Sequence, residues 1–106
     1  MKKIIDNLNK AFDHRVRLGI MSVLVVNEHA DFTTLKELLG VTDGNIASHI
    51  KALEKQEYIK VEKSFINRRP NTKYSATKIG RQAFQQHLDA LEKLLIAGNN
   101  INQNKI

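Results

Sequence analysis

Val41–Ile59 reads VTDGNIASHIKALEKQEYI, and the way its side chains distribute around a helix decides how the rest of the chain is read. Thr42 is of a type that caps a helix by accepting a backbone N–H, and Asp43 follows where the positive end of the helix dipole favours a carboxylate. Ile46, Ile50 and Leu53 then fall at i, i+4 and i+7, forming one narrow apolar stripe. Gly44, Ser48, Lys51, Ala52 and Lys55 fall on the other side. That face is small, polar and basic, so the backbone is open to close approach by something large. The pattern predicts a helix seated by its stripe, with its bare face free to enter a groove of DNA.

Working upstream, Thr34 and Glu37 have capping-box spacing ahead of Leu35, Leu38 and Leu39, and Gly40 suits the end of that short helix. Gly40, Val41 and Thr42 leave only a tight turn between the two helices, which predicts a helix-turn-helix over about residues 33–56. Before it, residues 27–31 are a polar break. Asp13 is the expected cap of a buried helix carrying Val16, Leu18, Ile20, Met21, Leu24 and Val25. Ile4, Ile5, Leu8, Ala11 and Phe12 give residues 2–12 helical spacing.

Downstream of Gln56 the period changes. Tyr58, Ile59, Val61, Phe65 and Ile66 partly alternate with Lys60, Glu62 and Ser64, which predicts a strand; Lys73–Ala76 is its expected antiparallel partner. Between them NRRPNT reads as the turn, because Pro70 and the asparagines favour one. The result is a hairpin over about 58–76, with Asn67, Arg68, Arg69 and Lys73 at its tip, Lys63 on its flank, and Phe65 and Tyr74 in its core. Thr77 is the expected cap of a last helix, about 77–97, on which Phe84, Leu88, Leu91 and Leu95 repeat as a coiled-coil-like seam. Gly98 is its expected stop. Residues 1–98 therefore read as one domain and 99–106 as a flexible tail.

The 106 residues, 42% of them hydrophobic, suffice for a modest core. With no cysteine there is no disulfide framework, and a reducing cytoplasm is the expected compartment. MKKIIDNLNK turns polar before a signal-peptide apolar region develops, so no export is expected. Leu18–Val26 falls far short of the roughly 20 residues a membrane helix needs.

Charge narrows the partner. Residues 51–81 hold nine Lys or Arg against three Glu, which is the whole net charge of +6, and from Lys63 to Leu88 there is no carboxylate. One basic segment on a neutral body predicts a polyanion as partner. Asn45, Ser48 and Lys51 carry the groups that match base edges in the major groove, with Thr42 and Gly44 at the close-approach end. Lys51, Lys55, Lys63, Arg68, Arg69 and Lys73 are the expected phosphate contacts, and Arg68 and Arg69 also suit a narrow minor groove. His49 lies beside the apolar stripe, where it either touches a phosphate or packs. Glu54 and Glu57 sit among lysines as ion-pair partners. No phosphate loop, nucleophile order or cofactor motif is present, so neither an enzyme nor a cofactor is expected. An RNA reading fares worse, because Phe65 and Tyr74 are expected in the hairpin core and not as a stacking platform.

The order of elements, with LKELLGVTDGNIASHIKALEKQEYI, the hairpin KSFINRRPNTKY and TKIGRQAF opening the last helix, resembles bacterial winged-helix transcriptional regulators of the ArsR/MarR type over about Asp13 to Leu95. The resemblance implies an α+β, mainly α fold: a winged helix-turn-helix with a two-stranded wing and with dimerisation helices at both ends. It implies a homodimer that binds double-stranded DNA sequence-specifically, with the recognition helix in the major groove and the wing on the neighbouring backbone or minor groove. Ile4, Ile5 and Leu8, with Phe84, Leu88, Leu91 and Leu95, are the expected dimer interface, and a near-palindromic operator would follow. The chain departs from the metal-sensing branch: cysteine is missing, and His14, His29, His49 and His87 are far apart with no i, i+4 pair, so no metal site is expected. No small-molecule effector is legible. The competing class is a winged helix used as a protein-interaction module without DNA binding.

Overall fold

The computed structural model describes residues 4–103. Four helices, α1 (Arg15–Val25), α2 (Phe32–Leu39), α3 (Asp43–Lys55) and α4 (Lys78–Gln103), combine with three strands, β1 (Ala30–Asp31), β2 (Ile59–Ile66) and β3 (Arg69–Ala76). The strands form one antiparallel sheet in the order β1-β3-β2. No helix among the described residues is long and apolar enough to cross a membrane.

The core collects one face of every helix. Val16, Ile20, Met21 and Leu24 from α1 meet Leu35 from α2, Ile46, Ile50 and Leu53 from α3, Ile59 and Tyr74 from the sheet, and Phe84 from α4. Phe12 closes the cluster, its ring 5.3 Å from that of Phe84 in an edge-on arrangement. The Arg81 guanidinium donates to the Val25, Leu24 and Asn27 carbonyls, at 2.8, 3.3 and 3.4 Å. It thereby satisfies two of the orphan acceptors at the end of α1, Leu24 and Val25, and fixes α4 against it.

α3 starts and stops by backbone chemistry. The Thr42 hydroxyl accepts the Asn45 N–H at 3.3 Å. At the other end the Glu57 and Tyr58 amides donate to the Glu54 and Leu53 carbonyls, at 2.8 and 3.0 Å, with Glu57 in the left-handed region at φ 63°. This is a Schellman termination with a non-glycine residue at the position that favours glycine. Thr77 caps α4 as its type suggested: its hydroxyl accepts the Gly80 N–H at 2.9 Å and donates to the Glu57 carbonyl at 2.7 Å. Gly80 is required there, since a Cβ would come within 2.0 Å of the Tyr58 carbonyl oxygen.

Several boundaries differ from the sequence reading. The N-terminal segment is not one helix but two 3-10 turns, Ile4–Asn7 and Lys10–Phe12, because Asn9 interrupts it and caps the second through the Ala11 N–H at 2.9 Å. His14, not Asp13, caps α1, its Nδ1 accepting the Val16 N–H at 3.2 Å. α2 begins earlier than a Thr34 cap would allow: Asp31 is the cap, accepting the Thr34 N–H at 2.8 Å, and that bond holds its carboxyl below the usual carboxylate range. Within the polar break, Ala30 and Asp31 pair with Tyr74 and Lys73 and add a third strand to the sheet. α4 runs through Gly98 to Gln103, as one helical glycine costs only about 1 kcal/mol and no proline follows it. The 99–106 segment is therefore helical as far as Gln103, and the remainder lies outside the described residues.

Candidate nucleic-acid interface

The seating of α3 decides which of its residues can meet a ligand. Ile46, His49, Ile50 and Leu53 are buried, which leaves Gly44, Asn45, Ser48, Lys51 and Lys55 exposed as the stripe requires. The Ser48 hydroxyl donates to the Asn45 carbonyl at 2.9 Å, so toward solvent it offers acceptor lone pairs. Beside Gly44 a Cβ would meet nothing within 4 Å, and the exposed first turn of α3 is bare. Thr42, as cap, is exposed just ahead of it. Asp43, the acid in this turn, is paired with Lys36 of α2 at 2.9 Å, and that hydrogen bond raises the Lys36 pKa.

Beside this helix lies a cleft of about 610 Å³ between α3 and the sheet, lined on one side by Ala47, Ile50, Lys51 and Glu54 and on the other by Val61, Lys63, Thr72 and Tyr74, with Phe32 at its end. Strand register explains the second wall. Val61, Lys63 and Phe65 share a face of β2, and their partners Tyr74, Thr72 and Pro70 share the same face of β3. Tyr74 is buried at the cleft floor, where burial and then the Glu54 carboxylate push its phenol pKa up. Lys51 and Lys63 thus approach one cleft from two elements, an arrangement suited to a phosphodiester backbone running between helix and hairpin. Thr72 was not singled out in the sequence because it lay in the supposed loop. Counting back in twos from Tyr74 would have found it.

The hairpin tip is narrower than NRRPNT suggested. Asn67 and Arg68 form a two-residue turn, with φ 51° and 66°, and Arg69, Pro70, Asn71 and Thr72 already belong to β3. Positive φ at both central residues is the type I′ turn, whose twist matches the strands. Pro70 is tolerated because β1 extends only alongside Tyr74 and Lys73, leaving that edge of β3 open at Pro70. Arg68 sits in the turn and Arg69 on the outer face beside Ile66, both exposed.

Three assignments change. Lys73 is not at the tip: it lies mid-strand on the outer face, half-buried between its register partners Glu62 and Asp31, whose carboxylates compete with any phosphate. His49 does not face the groove. It is 9% exposed, its Nδ1 accepts the Arg17 Nε–H at 3.0 Å, and its ring lies 4.0 Å from that of His14, so these two histidines, far apart in the sequence, meet in the fold. Burial first, then His14 and Arg17, hold its pKa below the ordinary histidine value. Phe65, expected in the hairpin core, is 75% exposed, because the strand face that buries Ile59 extends past the body before it reaches residue 65.

The expected dimer seam also divides. Phe84 is 5% exposed and belongs to this chain's own core, since Phe12 folds against it. His87 and Ala90 are likewise buried, the His87 Nδ1 accepting the Asn9 N–H at 3.0 Å and so tying the N-terminal turns to α4. Leu88, Leu91, Leu95 and Ile96 remain exposed along the helix, with Ile4 and Ile5 exposed on the N-terminal turn and Leu8 half-buried.

A small-faced helix, a basic hairpin and the cleft between them define a class. Residues 16–95 match the family model of the winged helix DNA-binding domain, and the chain belongs to that family. It is 38% identical over 79 residues to an uncharacterized protein of Methanocaldococcus jannaschii, a match spanning 74% of this chain and 86% of that one. The structure of the transcriptional regulator homologue protein from Pyrococcus horikoshii OT3 is similar with a TM-score of 0.73 and 28% identity, over 87% of this chain and 96% of that one. Lactococcus lactis ZitR, solved in complex with DNA, shares the fold with a TM-score of 0.61 at 21% identity, over 87% of this chain and 61% of that one.

Proposed function

We propose that the protein is a transcriptional regulator that binds double-stranded DNA sequence-specifically as a homodimer in the cytoplasm, acting by occupancy of its site and not by catalysis. The observation that carries this reading is the exposed face of α3, on which Gly44, Asn45, Ser48, Lys51 and Lys55 stand clear of the core while Lys63 approaches from the hairpin across the same cleft. Asn45 and Ser48 have the groups to match base edges, and Lys51, Lys55, Lys63, Arg68 and Arg69 supply the affinity through phosphates. Lys73 and His49 drop out of the contact set for the reasons of register and burial given above.

The dimer rests on α4. Leu88, Leu91, Leu95 and Ile96 expose apolar surface on a helix that outruns the body, and a two-fold partner would cover them together with Ile4 and Ile5. Two recognition helices would then sit about one DNA turn, roughly 34 Å, apart, and the site would be a near-palindrome. Selection of bound duplexes from a random pool tests the reading. Recovery of a two-fold symmetric site is the expected result, whereas a pool that never enriches would leave a winged helix serving as a protein-interaction module.

A further inference from the structure

Phe65 has no structural employment in this chain. Phe12 and Phe84 are buried and Phe32 is half-buried, but Phe65 stands 75% exposed at the end of β2, next to the turn. It is not an isolated apolar residue. Its cross-strand partner is Pro70 on the same face, and Ile66, also exposed, follows it. The two-residue turn keeps this tip two strands wide with no further loop, so what it can offer to a minor groove roughly 6 Å across is a projecting side chain and not the ribbon itself. Arg68 and Arg69 flank it and Lys63 shares its strand face, so a cationic collar borders the apolar tip, while Asp31 lines a recess on the Pro70 side. Register also aims it: Phe65 shares its strand face with Lys63 and Val61, the face that looks across the cleft to α3.

We propose that Phe65, backed by Pro70, is a wedge that enters the minor groove beside the site read by α3 and partly unstacks one base step, so that the wing selects sequence by deformability. This rests on the DNA-binding reading above. The cationic collar supplies attraction to the polyanion, and the aromatic edge replaces solvent contact with contact to a splayed base step. The steps that open most easily are TA and CA/TG, so the selected site should carry one of them about half a helical turn, roughly 5 base pairs, from the centre of the α3 contacts.

The test uses the full chain and a duplex recovered by selection, with 2-aminopurine replacing the adenine of the chosen step. Wild type should raise the 2-aminopurine fluorescence on binding and bring the labelled ends of the duplex closer by energy transfer. Phe65→Ala should bind the same duplex with affinity lowered about 5- to 150-fold, the range of one base–aromatic contact, without either signal. Phe65→Leu should retain much of both, and Arg68→Ala should weaken all duplexes alike while keeping the fluorescence change. Phe65 takes no part in the core, so the thermal midpoint of Phe65→Ala should match wild type. Wild-type binding with unchanged fluorescence, or a Phe65→Ala variant with the same step preference, overturns the wedge and leaves the DNA reading standing. Absence of duplex binding by wild type overturns both. Loss of Phe65→Ala binding to anionic vesicles, with DNA behaviour unchanged, would reassign the tip to a lipid surface.

Discussion

Three residues carry consequences out of proportion to their size. Glu57 holds the left-handed conformation that terminates α3, at φ 63°, while its side chain is exposed and only its backbone is used. Left-handed backbone costs a residue with a Cβ about 1–2 kcal/mol, and glycine gives back about 0.5–1 kcal/mol of that as chain entropy. Glu57→Gly should therefore raise stability by about 0.5–1 kcal/mol, visible as a higher urea midpoint. Gly80→Ala should do the reverse: the new Cβ meets a backbone carbonyl at 2.0 Å, and a clash of that kind costs about 1–3 kcal/mol or more of thermal stability. His49 ties stability to pH. Its folded pKa lies below its unfolded value, so the unfolded chain takes up the proton first. The stability that neutral His49 contributes is whole above about pH 6.5 and is lost as pH falls toward the folded value. Charging it would also set a cation against Arg17 and beside His14. His49→Asn, which keeps an acceptor for Arg17 but cannot titrate, should flatten the loss of urea midpoint between pH 7 and pH 5.

At the scale of elements, if α3 reads bases and the hairpin holds phosphates, as proposed, the two contributions are separable. Each good bidentate base contact is worth about 1–3 kcal/mol, so Asn45→Ala with Ser48→Ala should flatten sequence preference and leave nonspecific affinity nearly intact in a selected pool. Lys63→Ala and Arg68→Ala should each lower the slope of log affinity against log salt by about 0.9, on specific and random duplexes alike. These elements differed in how far the sequence disclosed them. α3 was legible because its cap, its apolar stripe and its small outer face all depend on neighbours within four residues. The wing tip was not. Pro70 was read as a turn former, whereas the type I′ turn closes earlier at Asn67–Arg68 and Pro70 occupies an open stretch of strand edge. Register then decides that Lys63, read on the hairpin flank, faces the cleft and that Lys73 does not, and a turn set a few residues too late is enough to put Lys73 at the tip. His49 was ambiguous for a different reason: only the tertiary position of Arg17 and His14 gives its ring a place in the interior.

The molecule as a whole is elongated, 67 by 25 by 21 Å, with a radius of gyration of 16.9 Å where a compact chain of this length has about 13 Å. α4 accounts for the difference, since its 26 residues span about 39 Å and its far half leaves the body. Leu91→Glu with Leu95→Glu should give a folded monomer by sedimentation whose affinity for a two-fold site falls steeply, because the second half-site is no longer tethered. A wild type that sediments as a monomer at tens of micromolar would remove the dimer while leaving each half-site reading intact. The claim beneath all of these is that the α3 face and the hairpin together bind duplex DNA through its phosphates, and equilibrium binding of wild type to a mixed-sequence duplex across a salt series measures it. Five cations, Lys51, Lys55, Lys63, Arg68 and Arg69, predict a linear fall of log affinity with log salt of slope about −4.5 per protomer, from about −0.9 for each phosphate neutralised. No measurable duplex affinity at low salt, or an affinity indifferent to salt, would contradict it.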